Sequence, residues 1–71
     1  MTKEEFIEKL ADILCTDAAL DLDTELSDIE EWDSLGVVSF NGLVNIETGK
    51  KADIKRINAA KTVRDLFDII R

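Results

Sequence analysis

From Ser34 to Ile46 the chain runs thirteen residues without a charged side chain, although 35% of the whole sequence is Asp, Glu, Lys or Arg. The ends of this run carry helix signals: Asp33 suits an N-cap, and Gly49 suits the left-handed residue that closes a helix. Leu35, Val38, Gly42 and Ile46 fall on a single helical stripe. The rival is a buried strand over LGVVSF, because Val and Phe favour strands. Gly36 and Gly42 also count against a helix, at about 1 kcal/mol each relative to Ala. The length of the run and its two caps decide for a helix over 34–48. That helix is too apolar all round to be buried on one stripe only, so some of its apolar surface is expected to be exposed.

The other hydrophobic spacings agree with an all-helical chain. In TKEEFIEKLADILCT, Phe6, Leu10, Ile13 and Leu14 repeat as one helix face, and Thr2 with Glu5 makes a capping box. In TVRDLFDII, Val63, Leu66, Phe67 and Ile70 do the same behind Thr62 and Asp65. ADIKRI, residues 52–57, reads as a short helix or turn with Ile54 and Ile57 inward. Residues 17–33 show no long helical period. They hold eight of the sixteen acids and no base. This segment reads as a long ordered loop, pinned to the core by Leu22, Leu26, Ile29 and Trp32. A loop of that length is uncommon in a compact domain unless it has a task. The expected fold is all-α, a single domain over 1–71, with three main helices, one short helix and a long loop after the first.

Composition removes several function classes. A net charge of −7 disfavours nucleic acid, which needs clustered cations, and favours partners with basic patches. The sequence contains no His and one Cys, so a Ser-His or Cys-His catalytic pair within it is excluded, and a zinc site effectively so. Cys15 reads as a small half-buried residue. DLDTELSDIEEW places Asp21, Asp23 and Glu25 at EF-hand positions. Leu26 and Trp32 then stand where the required Gly and the closing Glu belong, so the loop is not a calcium site. The opening MTKEEF lacks the apolar stretch of a signal peptide. No run approaches the ~20 apolar residues of a membrane span. A cytoplasmic, non-enzymatic protein is expected, monomeric and without membrane insertion.

Ser34 is the residue with chemistry to offer. It follows the proposed N-cap Asp33, where unpaired amides and the helix dipole favour an anion, so a phosphate ester on it would find donors. With no His to act as base, modification by another enzyme is its natural role. The plain alternative is a serine that merely starts a helix.

WDSLG after an acidic loop, then an apolar helix, then INAAKTVRDLFDII, resembles the acyl carrier protein family over nearly the whole chain. The resemblance implies a four-helix bundle. It also implies that a phosphopantetheinyl transferase attaches 4′-phosphopantetheine from coenzyme A to Ser34. Asp33 would help that enzyme engage the site, and Leu35 would anchor the helix start. Acyl or aminoacyl groups would ride as thioesters between acyl-loading and acyl-using enzymes.

Two departures matter. Positions where fatty-acid carriers show docking carboxylates are here Gly36 and Ser39, and the helix has no acid before Glu47. The third segment carries Lys50, Lys51, Lys55 and Arg56 instead of acids. Docking would therefore be read by shape and apolar contact through Gly36, Val37, Ser39 and Leu43. Close helix packing explains the same residues as well. A specialised carrier for a secondary-metabolite, glycan-modifying or aminoacyl pathway fits better than the housekeeping fatty acid carrier. The alternative is a non-catalytic helical interaction module without a prosthetic group.

Overall fold

The computed structural model describes residues 2–17 and 19–70. Among them lie four α-helices: α1 (Lys3–Leu14), α2 (Ser34–Thr48), α3 (Ile54–Ala59) and α4 (Val63–Ile70). The long connection after α1 carries one short 3₁₀ turn, Leu26–Asp28. α2 packs against α1 and α4, and α3 packs against α4. The result is the expected small all-α bundle.

Local chemistry sets the helix ends. The Thr2 hydroxyl oxygen accepts from the Glu5 amide at 3.2 Å, and the hydroxyl donates to the Glu5 carboxylate. α1 stops in a Schellman turn: the Thr16 amide donates to the Ala11 carbonyl and the Cys15 amide to that of Asp12. Cys15 adopts the left-handed conformation there, with φ 53°. It is exposed, not half-buried as its size suggested, because the turn swings it off the helix. Gly49 closes α2 with φ 71°, its amide donating to the Asn45 carbonyl. At α4, Thr62 and Asp65 form a reciprocal box, and the Asp65 carboxylate accepts the Lys61 and Thr62 amides at 2.9 and 3.2 Å. These bonds favour the charged form and hold the Asp65 pKa below its ordinary 3.8.

The core draws on every segment. α1 supplies Phe6, Leu10 and Leu14; α2 supplies Phe40, Leu43 and Val44; α3 supplies Ile57. Val63, Leu66 and Ile70 come from α4, and Leu26 and Ile29 from the loop. Ile54, expected inward, is 44% exposed. Ile57, one turn further on, is the residue of α3 that enters the core. All four aromatic residues of the chain meet. Phe6 is edge-on to Phe40 with ring centres 6.2 Å apart and touches Phe67 at 5.1 Å, while Trp32 is edge-on to Phe40 at 6.0 Å. Each such pair adds about 0.5–1.5 kcal/mol beyond its burial.

The loop is tied down by backbone as well as by side chains. The Val63 and Arg64 amides open α4 and have no intrahelical acceptor. They donate instead to the Thr24 and Leu22 carbonyls, at 3.0 and 2.9 Å. The Leu26 amide returns a bond to the Lys61 carbonyl, and Glu25 and Thr62 form an isolated bridge. Asp21 spends its carboxylate on the Asp23 amide, shaping a turn within the loop. Arg64 and Asp23 add an exposed ion pair, worth little by itself.

Candidate functional site

The corner where the loop enters α2 is built from Glu31, Trp32, Asp33 and the first turn of the helix. Asp33 is extended and caps α2: one carboxylate oxygen accepts the Leu35 amide at 3.0 Å and the Gly36 amide at 3.1 Å. Its carbonyl accepts the Val37 amide at 3.0 Å. Two of the unpaired amides expected to serve an anion on Ser34, those of Leu35 and Gly36, are therefore already engaged by Asp33. An ester there would draw on the helix dipole more than on direct amide bonds.

Behind the cap, Gly36 explains itself. A Cβ at this position would stand 2.7 Å from the Glu31 carbonyl oxygen and 2.9 Å from a Leu14 methyl. The loop backbone thus lies directly on the helix, and only a hydrogen fits between them. Trp32 closes the other side, 3.5 Å from the same point, with its ring on Phe40. Further bonds knit the loop end, from the Trp32 amide to the Ile29 carbonyl and from the Asp33 amide to that of Glu31. The corner is consequently fixed from below while Asp33, Ser34 and Leu35 remain exposed above it. Asp33 is exposed next to Ser34 in the chain, and Glu31 and Asp33 line one hollow with Leu35 and Gly36, so the surroundings of the hydroxyl are acidic.

The residues considered for docking separate into two groups. Gly36 and Leu43 are buried and present no surface to a partner; Val37 and Ser39 are half-buried. The uncharged surface left in water is the stripe Leu35, Val38, Gly42 and Ile46, with Leu35, Val38 and Ile46 at 76%, 67% and 80% exposure. Its opposite face, carrying Phe40, Leu43 and Val44, enters the core. Glu47, the first acid of α2, pairs with Lys9 of α1. That hydrogen bond raises the Lys9 pKa above its ordinary 10.5. The close approach at Gly36 was signalled by a glycine placed where a helix pays for it; the left-handed Cys15 had no such signal.

No family model, curated protein or solved structure matches the chain. No helix among the described residues is long and apolar enough to cross a membrane.

Proposed function

We propose that the chain is a carrier protein, loaded at Ser34 with 4′-phosphopantetheine by a phosphopantetheinyl transferase and serving acyl-loading and acyl-using enzymes. The observation that carries the reading is the exposed Ser34 on a corner held rigid by the Asp33 cap, the Gly36 contact and Trp32. An accessible hydroxyl at the first position of a fifteen-residue helix suits a phosphodiester, whose charge the dipole favours. Once attached, the group would supply a terminal thiol that holds cargo as a thioester. Asp33 holds the turn in shape, and the acidic surroundings steer the transferase. Leu35, Val38, Gly42 and Ile46 form the face offered to successive partners, and the chain itself catalyses nothing. Incubation with coenzyme A and a broad-specificity phosphopantetheinyl transferase tests the proposal. A mass gain on Ser34, absent in Ser34→Ala, is expected. No gain under conditions that modify a control carrier overturns it.

The exposed stripe on α2 favours a second reading, a helical interaction module that docks in an apolar groove without any prosthetic group. The two part on the same experiment, since the module leaves Ser34 bare.

A further inference from the structure

The end of α1 and the start of α2 leave a groove between them of about 280 Å³, walled by Ile13, Leu14, Cys15, Leu35, Gly36 and Ser39. Glu31 and Asp33 complete its lining. Asp33 and Leu35, the residues on either side of Ser34, both line the groove, so it lies within reach of a group tethered at Ser34. Leu35 leaves most of its side chain in water here, apolar surface that a ligand lying in the groove would cover. The centre of the bundle is already filled. Phe6, Leu10, Phe40 and Leu66 are wholly buried there, and the aromatic rings interlock edge to face.

We propose that this groove, and not the core, receives the thioester end of the folded-back arm tethered to Ser34, together with a short acyl cargo. The proposal rests on the carrier reading. The volume, about 280 Å³, is smaller than the whole arm, so it holds the thioester end and a few carbons of cargo, and a long chain overruns it. Covalent attachment compensates for the small contact. A short flexible tether gives an effective concentration of about millimolar order, so a contact of millimolar affinity is already half-filled. With Glu31 and Asp33 in its lining, the groove suits a neutral or cationic cargo and disfavours one that ends in a second carboxylate.

Cys15, in the groove wall, is the reporter. The transferase and butyryl-coenzyme A load the chain, and intact mass establishes the load on Ser34. The thioester masks the thiol of the arm, which leaves Cys15 as the one thiol open to iodoacetamide. Half-occupancy of the groove slows its alkylation about twofold relative to the unloaded chain. Amide NMR shifts on loading are expected to concentrate at Ile13, Cys15 and Ser39. A loaded chain whose Cys15 reacts at the unloaded rate, or whose shifts centre on Phe40, Val44 and Leu66, overturns the groove and leaves the loading intact. Absence of the mass gain removes the carrier reading, and the groove with it.

Discussion

Replacing Gly36 and Gly42 with alanine, one at a time, should move stability in opposite directions within a single helix. Both variants gain the helix preference of Ala over Gly, about 0.8–1.0 kcal/mol. Both also share the loss of unfolded-chain freedom that a glycine confers. At Gly42 a Cβ meets nothing within 4 Å, so the whole gain is realised. At Gly36 it meets the Glu31 carbonyl oxygen at 2.7 Å, and backbone cannot swing aside as the end of a side chain can. Overpacking of this kind costs about 1–3 kcal/mol. Gly36→Ala is therefore expected to be destabilised by about 1 kcal/mol net, and the gap between the two variants, about 1–3 kcal/mol, reports the steric cost alone. Urea unfolding followed by circular dichroism measures both. Trp32 fluorescence adds a local view, because its ring lies against Gly36. In a chain this size each kcal/mol moves Tm by about 4–8 °C, so heating gives an independent check. Equal stabilisation at the two positions would refute the close approach of loop to helix, and with it the rigid corner beneath Ser34.

Other outcomes follow from the caps. Asp33→Ala removes the acceptor for two amides of α2 and should cost about 1 kcal/mol by urea unfolding, whereas Asp33→Asn keeps most of the cap. The Asp65 pKa is lower folded than unfolded, so its contribution is present above the unfolded value near 3.8 and fades as pH falls through the folded one. The difference in urea midpoint between the parent chain and Asp65→Ala should accordingly be largest near neutral pH and shrink under acid; a difference independent of pH would contradict the capping role. Cys15→Gly relieves a left-handed L-residue and is expected to stabilise by about 0.5–1 kcal/mol, read from the thermal midpoint.

The helices were legible because their signals are local. Thr2 with Glu5, Asp33, Gly49, and Thr62 with Asp65 each sit at the end they announce, and the loop anchors Leu26 and Ile29 are buried as expected of apolar residues in an acidic loop. The orientation of α2 was not legible. A helix with apolar residues on both sides has no period that marks the inner one, and the stripe of Leu35, Val38, Gly42 and Ile46 turns out to be the wet face. For the same reason the sequence left docking and close packing open for Gly36, Val37, Ser39 and Leu43, of which Gly36 and Leu43 go inside. The pairing of residues 22–26 with 61–64 joins segments far apart in sequence and leaves no trace in either alone. The position of Ser34 was legible, because the Asp33 cap sets it at the first residue of α2, where it is exposed.

The central claim is that this corner exists to carry a tether. Mass spectrometry of the protein from its native source, with fragmentation of the peptide that contains Ser34, tests it most directly. The account predicts a pantetheine-linked mass on Ser34, with fragments that also reveal the cargo. A bare Ser34 throughout the native protein, with no pantetheine elsewhere on the chain, would contradict it.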